Sequence, residues 1–460
     1  MCLTLFGMTT LVMAQKPVES YPEKKSEALI SNLTIPVQLD ILTMQDIINT
    51  QMDSLIYEIK DLNNSSVSDF SMKVWRLDKI KLQGEKSSLF SFVPLRIHVK
   101  GTLKTKVLGL TLRKSIDQEM QLLTKFQTKI ALNYNWDLIS KTALVEYRWI
   151  KEPYIDFGPV KLPMGSIVDG LIDEQKDSIN RTIDREIRQR FDLKKQIELS
   201  WKTFQLPFVA SVWGEEKTWL YFLPSDEKVI IQNLHFEEDA LKTQIRLQAF
   251  ADAEFSKKLN LKPKMVPLPN LSYHDDLEPG VEMLVNAQVS KATALKKANE
   301  LFLNKAYSFR EGKYNVKILG INFYGSGQDI VIELDLSGSI TGKVYLSGYP
   351  VYNASSNKME IRNFAYILDA KTKISKFTRW LFAGKIKKQL KEGAEEVLNN
   401  QILEIRKQVE KGLENFEFSP QATLQGQVHQ FYIKEIFLQP DTIFAKIVLN
   451  GDFMILLKGF

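Results

Sequence analysis

Apolar and polar residues alternate in two segments, Ile35–Ile41 and Val281–Val285, one in each half of the chain. A period of two predicts strands with one buried face. A residue that can cap a helix follows each strand, Thr43 in the first half and Ser290 in the second. The predicted helices carry these apolar residues: Ile47, Ile48, Leu55 and Ile56 in the first half, and Ala294, Leu295, Leu301 and Phe302 in the second.

Strands with a single apolar face follow in both halves. The apolar residues at alternate positions are Val93, Leu95, Ile97 and Val99, and then Ile330, Ile332, Leu334 and Leu336. Residues 343–362 also align without a gap with residues 129–148. The identities are Lys129/Lys343, Leu132/Leu346, Glu146/Glu360 and Arg148/Arg362. They carry weight because they fall at the same place in a shared order of elements.

A long amphipathic helix is predicted next in each half, over Gly165–Phe191 and over Ile374–Phe416. The apolar stripes are Val168, Ile172, Ile179, Ile183, Ile187 and Phe191, and Phe377, Leu381, Leu390, Val397, Leu398, Ile402, Ile405, Val409 and Leu413. Both halves close on paired strands, since residues 230–251 align with 432–453 and place Asp239 and Asp441 at equivalent hairpin turns. One architecture therefore occurs twice.

A Pro-rich stretch between the halves shows no period of helix or strand and is expected to be a linker. The predicted organisation is a signal peptide at 1–14, an N-terminal module at 15–255, the linker at 256–280 and a C-terminal module at 281–460. The predicted fold class is α+β, with two tandem modules. Each is a long curved antiparallel sheet wrapped around long amphipathic helices, because a sheet with one apolar face has to cover it.

The space between sheet and helices in each module could be a narrow apolar tube that holds an acyl chain. Alternatively, the stripe side chains fill it, since most apolar stripes are core. The residues expected to line these apolar spaces are Ile47, Ile48, Leu55, Ile179, Ile183, Ile187, Leu295, Leu301, Phe302, Leu398 and Ile402.

Composition fits a folded soluble protein, since 44% of residues are apolar, 25% are charged and the mean hydropathy is −0.18. The run CLTLFGMTTLVMA at residues 2–14 is uncharged and ends in small residues, which predicts a signal peptide, although a basic start is missing. The alternative is a frayed helix. Cleavage after Ala14 would remove Cys2, the only cysteine, which suits an oxidising compartment. An exported protein of the periplasm or the outer-membrane periphery is expected.

Catalytic motifs are missing from the sequence. The four histidines, His98, His235, His274 and His429, are scattered, and each is expected on a polar strand face or in a loop. There is no G-x-S-x-G, G-x-x-x-x-G-K or G-x-G-x-x-G motif. No enzymatic activity, metal or cofactor is therefore predicted.

One segment, Lys371–Lys391, carries eight basic residues and no acidic one. Aromatic residues are interleaved, as at Trp380, which suits anionic lipid head groups or phosphates. The residues expected to contact such a surface are Lys376, Arg379, Trp380, Lys385, Lys387 and Lys388. The alternative is a solvated helix face over a core stripe. Nucleic acid is not an expected partner for an exported protein.

Three segments resemble the bacterial family domain of unknown function 4403: LTIPVQL at 33–39, GKVYLSGYPVYN at 342–353 and WLFAGKIKKQL at 380–390. The resemblance covers nearly the whole mature chain and implies no chemistry. The order of the repeat also resembles the tubular lipid-binding superfamily, which includes bactericidal/permeability-increasing protein. That resemblance implies two barrel-and-helix modules joined by a Pro-rich linker. The half-cystine pair of the eukaryotic relatives is absent, and the first half departs from the second at Tyr134–Trp136.

These patterns predict non-catalytic binding or transfer of a hydrophobic ligand, with lipid as the expected partner and a possible peripheral membrane contact. The competing hypothesis is a structural or interaction protein whose modules are filled. Small residues opposite the helices would favour the first hypothesis, and opposed large residues the second. The oligomeric state stays open.

Overall fold

The computed structural model describes residues 16–23, 29–63, 67–107, 110–152, 154–156, 161–163, 165–190, 193–213, 215–225, 229–259, 264–309, 314–369, 373–374 and 384–458. The predicted signal peptide lies outside the described residues.

The described chain is α+β. Its helices are α1 (Ile41–Gln51), α2 (Gly165–Arg190), α3 (Leu193–Phe204), α4 (Lys291–Phe302) and α5 (Gly384–Leu413). The strands of the first half are β1 (Ile30–Asp40), β2 (Leu55–Leu62), β3 (Val67–Arg76), β4 (Lys81–Glu85), β5 (Ser88–Val107), β6 (Leu110–Leu132), β7 (Leu138–Lys151), β8 (Tyr154–Asp156), β9 (Lys161–Pro163), β10 (Phe208–Trp213), β11 (Glu216–Pro224), β12 (Val229–Ile231), β13 (His235–Glu237) and β14 (Ala240–Ser256). The later strands are β15 (Leu271–Tyr273), β16 (Gly280–Ser290), β17 (Ala306–Phe309), β18 (Tyr314–Ser326), β19 (Asp329–Gly338), β20 (Ile340–Asn353), β21 (Lys358–Leu368), β22 (Lys373–Ile374), β23 (Phe416–Ser419), β24 (Ala422–Leu438) and β25 (Thr442–Leu457).

Strands of both halves build one central sheet in the order β10-β11-β14-β1-β16-β25-β24-β23, with β12, β13 and β15 attached to it. β1 lies at its centre, antiparallel to β14 along its whole length and to β16 at Asn32↔Glu282. It is also parallel to β25 at Val37↔Ile455. Two further sheets have six strands each. The first has the order β2-β3-β5-β6-β7, with β4 paired to β5, and the second has the order β17-β18-β19-β20-β21, with β22 paired to β20.

The order of elements recurs along the chain: a central strand, a short helix, a six-stranded sheet, a long helix and returning central strands. The two short helices start in the same way. The Ile41 N–H donates to the Asp239 carbonyl at 2.9 Å, and the Lys291 N–H donates to the Asp441 carbonyl at 2.8 Å. The two aspartates aligned in the sequence therefore hold the starts of α1 and α4. The division into two modules stays a prediction.

Several sequence predictions are confirmed and others need correction. Ser290 caps α4, since its Oγ accepts from the Thr293 N–H at 3.1 Å. Thr43 does not cap α1, because that helix begins directly after β1 at Ile41. Leu55 lies on β2 and not on the first helix. α1 ends at Gln51 before a Met-Asp-Ser stretch, and Asp and Ser favour turns over helix interiors.

The boundaries of the last long helix and of the linker also differ from the prediction. Ile374 lies on β22, paired with β20, while α5 begins at Gly384; residues 375–383 lie outside the described part. The predicted linker contains β15, which pairs in parallel with β12. Its carbonyls at Val266 and Pro269 accept hydrogen bonds from the indole N–H groups of Trp201 and Trp136, at 2.9 and 2.8 Å. The first half therefore anchors this segment.

Helix α2 covers the outer strand β7 of the first six-stranded sheet. The Leu144 N–H donates to Asn180 Oδ1 at 3.1 Å, and the Thr142 N–H donates to Asp184 Oδ1 at 3.0 Å. Asn180 and Asp184 are four residues apart, so they project from one face of the helix. Alternate N–H groups of β7 are thus satisfied by side chains of α2.

Helix α5 covers the outer strand β21 of the second six-stranded sheet in the same way. The Ile361 N–H donates to Glu395 Oε1 at 2.6 Å, and the Met359 N–H donates to Asn399 Oδ1 at 2.9 Å. Asn399 Nδ2 returns a hydrogen bond to the Met359 carbonyl at 2.8 Å. In both pairs the earlier helix residue contacts the later strand residue, so each helix runs antiparallel to the edge that it covers.

An N-terminal strap, defined as residues 16–23, lies on the second six-stranded sheet. The Ser20 N–H donates to the Gly325 carbonyl at 2.9 Å, and the Tyr324 hydroxyl donates to the Pro17 carbonyl at 3.0 Å. A Cβ at Gly325 would meet the Ser20 carbonyl oxygen at 2.9 Å, so the close approach needs glycine here. Glu333 of β19 is buried, and Lys16 Nζ of the strap lies 3.5 Å from Glu333 Oε2.

Replacing Asn399 tests the covering of β21. Asn399→Leu should lower the free energy of unfolding by about 1–3 kcal/mol, because the buried Met359 loses partners for its N–H and carbonyl. The adjacent Asn400 is exposed, and Asn400→Leu should change stability by less than about 0.5 kcal/mol. Denaturant unfolding of both variants measures the difference. Equal losses would contradict the role assigned to Asn399.

Candidate functional site

A cavity of about 970 Å³, here the large cavity, lies between the central sheet and helices α1, α3 and α5. Strands of both halves contribute to its wall through residues at alternate positions, which share one face of the sheet. These residues are Leu33, Ile35, Val37 and Leu39 on β1, and Val281, Met283 and Val285 on β16. The alternation that predicted the two strands therefore marks the face that borders the cavity.

Helices supply the opposite wall. The largest contribution comes from α3, whose lining residues are Leu193, Gln196, Ile197, Ser200, Trp201, Thr203 and Phe204. The Phe204 ring stacks on Phe222 of β11 with centroids 4.9 Å apart. Helix α5 adds Ile405, Val409 and Leu413 from its last turns. Most of the lining residues on both sides are apolar, so the cavity favours an apolar occupant.

Among the described residues, two charged side chains border the large cavity, and each is paired with a neighbour. Lys242 Nζ lies 2.9 Å from Glu238 Oε2, and this hydrogen bond raises the pKa of Lys242. Glu417 Oε1 lies 2.8 Å from Lys458 Nζ, and this hydrogen bond lowers the pKa of Glu417. Both groups stay ionised near neutral pH, and their charges are compensated at the exposed partner.

A second cavity of about 300 Å³, here the small cavity, lies between the first six-stranded sheet and helices α1 and α2. It sits within a cluster of buried residues that includes Phe70, Met120 and Leu122. Of the residues that the structure describes, four line both cavities, namely Ile48, Leu89, Thr128 and Ile187. The two spaces are therefore neighbours, separated by these side chains.

The structure brings together six of the residues predicted to line the apolar spaces between sheet and helices. Ile47, Ile48 and Ile187 line the large cavity, and Ile48, Leu55, Ile179, Ile183 and Ile187 line the small one. Neither cavity is lined by Leu295, Leu301, Phe302, Leu398 or Ile402. Phe302 packs on the cluster of Ile318, Leu336 and Val344, and Ile402 packs on the cluster that contains Leu33.

Sequence reasoning missed α3 as a wall of the site. Leu193, Ile197, Trp201 and Phe204 recur at helical spacing, a signal that predicts an amphipathic helix. The predicted helix ends at Phe191, just before α3 begins at Leu193, and no element is predicted over residues 193–204. On α5 the predicted pair Leu398 and Ile402 precedes the lining residues by one or two turns.

The residues predicted to contact anionic lipid are only partly described. Lys376, Arg379 and Trp380 lie outside the described residues, and Lys385 lies in the first turn of α5. Lys387 and Lys388 are exposed, and Lys388 Nζ lies 3.7 Å from Glu392 Oε1. The membrane contact stays a prediction.

The histidines form surface pairs or turn contacts. His98 Nε2 lies 2.6 Å from Asp117, and His429 Nε2 lies 2.7 Å from Asp452. Within the residues that the structure describes, no three His, Cys, Asp or Glu side chains are grouped as metal ligands. Of the helices described, none combines the length and apolarity needed to span a membrane.

Comparison with known proteins assigns a family. The model described as Domain of unknown function (DUF4403) matches residues 30–457, in agreement with the resemblance of the three sequence segments. No curated protein matches. Among solved structures, a lipopolysaccharide binding protein has a TM-score of 0.28 and 9% identity, covering 94% of this chain and 99% of that chain. P47 from Clostridium botulinum A2 has a TM-score of 0.18 and 10% identity, covering 91% and 97%.

Two alanines on β14 test whether the large cavity is open. Ala253 borders the cavity, whereas Ala251, two residues away on the same face, is fully buried outside its lining. Ala253→Leu should change the free energy of unfolding by less than about 0.5 kcal/mol, because the larger side chain extends into free space. Ala251→Leu should cost about 1–3 kcal/mol through overpacking. Chemical denaturation measures both, and an equal loss in the two variants would indicate a filled interior.

Proposed function

The chain belongs to the DUF4403 family, and from the geometry of the large cavity we propose that it binds or transfers a hydrophobic ligand, a lipid, without catalysis. One observation carries this proposal: a volume of about 970 Å³ with an apolar wall lies beside the central sheet. That volume is at the upper end of the range of about 300–1,000 Å³ for ligand sites. An interaction protein with filled modules has no use for this space, so the open volume favours the ligand-binding hypothesis.

The energetics suit an acyl chain. Each methylene moved from water into an apolar wall contributes about 0.8 kcal/mol, so a chain of about a dozen carbons gains about 10 kcal/mol before the costs of association. A polar head group placed deep in this cavity would lose its water and meet few polar partners in a mostly apolar wall, which is unfavourable. The head group is therefore expected at the mouth of the cavity, and selectivity is expected to depend on the apolar part of the ligand.

The proposal includes the finer features expected from the sequence. The protein is exported to the periplasm or the outer-membrane periphery after loss of residues 1–14, and its two modules enclose their helices within curved sheets. The basic segment around Lys387 and Lys388 contacts anionic head groups when ligand is exchanged with a membrane. These features are compatible with a carrier that collects lipid at one surface and releases it at another.

Lipid capture tests the proposal. Delipidated full-length protein is mixed with a lipid extract of the bacterial envelope, repurified and analysed by mass spectrometry, and a fluorescent fatty acid is titrated in parallel. Wild-type protein should retain lipid and bind the probe. Met283→Trp, which places a large ring in the cavity wall, should weaken probe binding by about tenfold, equivalent to about 1.4 kcal/mol.

The matched control is Met454→Trp on β25 of the same sheet. Met454 is exposed and does not line the cavity, so this variant should bind like the wild type. Recovery of no lipid together with no probe binding by the wild type would refute the proposal and favour the interaction protein.

A further inference from the structure

We propose, building on the lipid-binding function above, that ligand passes into and out of the large cavity sideways, between β10 and β23. Here this line is called the seam. Phe208 and Phe416 face each other across it and form its gate. Three observations support this path: the topology of the central sheet, the solvent exposure of residues that line the large cavity, and the contacts across the seam.

The topology leaves the seam without ladder hydrogen bonds. β10 and β23 are the outermost strands of the central sheet, at opposite ends of its hydrogen-bonded order. Among the described residues, β10 pairs with β11 and β23 pairs with β24, and no register joins β10 to β23. The two outer strands can therefore separate without breaking a β ladder.

Side chains nevertheless bring the two edges together. The rings of Phe208 and Phe416 have centroids 5.0 Å apart, at an interplanar angle of 40°. Nearby, a Cβ on Gly412, at the end of α5, would lie 3.9 Å from the Ala210 carbonyl oxygen. Both phenylalanines line the large cavity, so the ring contact lies on its wall.

Exposure places the mouth of the cavity at the same line. Most lining residues are buried or half-buried, and the exposed ones all belong to the end of α3, β10, the end of α5 or β23 and its turn. They are Thr203, Leu206, Val209, Ile405, Gly412, Glu417 and Gln421. A residue that both lines a cavity and faces solvent marks an opening. Every such residue among those described lies on β10, on β23 or its turn, or on the helix and turn that lead into one of these strands.

The rim of the seam is apolar at several positions. Leu206 is 46% exposed, Val209 is 38% exposed and Ile405 is 45% exposed, although each also lines the cavity. Val212, further along β10, is exposed as well. An acyl chain that moves through the seam would contact apolar side chains on its way from the outside to the interior. A sideways path also lets the head group stay in water while the chain moves.

A reversible cross-link tests the seam. Ala210→Cys and Gly412→Cys are introduced together with Cys2→Ser and are bridged with a short bis-methanethiosulfonate, which reductant removes. The bridged protein should take up and release a fluorescent fatty acid about tenfold more slowly or worse, and reductant should restore the rate. The control bridge joins His429→Cys and Asp452→Cys, which lie on the paired strands β24 and β25 outside the lining. It should leave the rates unchanged.

Opening the gate tests the same proposal in the opposite direction. Phe208→Ala with Phe416→Ala should raise the association and dissociation rates together, with a smaller change in the equilibrium affinity. Phe444→Ala is the control, because Phe444 stacks on Phe437 at 5.1 Å in the same sheet without lining the cavity. Equal exchange rates with and without the seam bridge would overturn the seam proposal while leaving lipid binding intact. Failure of the wild type to bind the probe would overturn both.

Discussion

Backbone N–H and carbonyl groups at the edge of a sheet need partners, and the way each edge obtains them organises this protein. In the two six-stranded sheets, the edges β7 and β21 are covered by long helices whose amide and carboxylate side chains accept the strand N–H groups. A helix fixed in this way by Asn180 and Asp184, or by Glu395 and Asn399, cannot slide along the strand without losing these bonds. The position of each long helix, and with it the space beside the sheet, follows from satisfying an edge.

The central sheet meets the same requirement differently. Its inner strands come from both halves, so β1 has hydrogen-bonded neighbours on both sides, whereas its outermost strands approach each other through side chains at Phe208 and Phe416. An aromatic contact is weaker and less directional than a ladder of hydrogen bonds. Hydrogen bonds on both sides therefore hold the inner strands, whereas side chains join the outermost strands β10 and β23, and the large cavity lies behind these two strands.

Local pattern in the sequence predicted the elements better than their arrangement. Alternation identified β1, β5 and β16, and helical spacing identified α2 and α4, because each of these patterns depends on one element facing one apolar environment. Leu55 and Ile56, predicted on the first helix, lie on β2, because their helical spacing continues across Met52–Ser54, where the helix has already ended. The prediction of one separate apolar space in each half did not include the pairing of β1 with β16 and β25. Pairing between strands distant in sequence leaves no local signature, so the shared wall of the large cavity could not be predicted.

The position of β1 has a consequence for biosynthesis. β1 is the first described strand to leave the ribosome, and its partner β25 is the last. Until β25 emerges, β1 can use only the neighbours already made, and apolar residues such as Ile35 and Val37 lack part of their final surroundings. A nascent chain in this state exposes apolar side chains and an unpaired strand edge, which are the features that chaperones recognise. A protein whose first and last described strands pair in this way keeps that apolar surface exposed until β25 has been made.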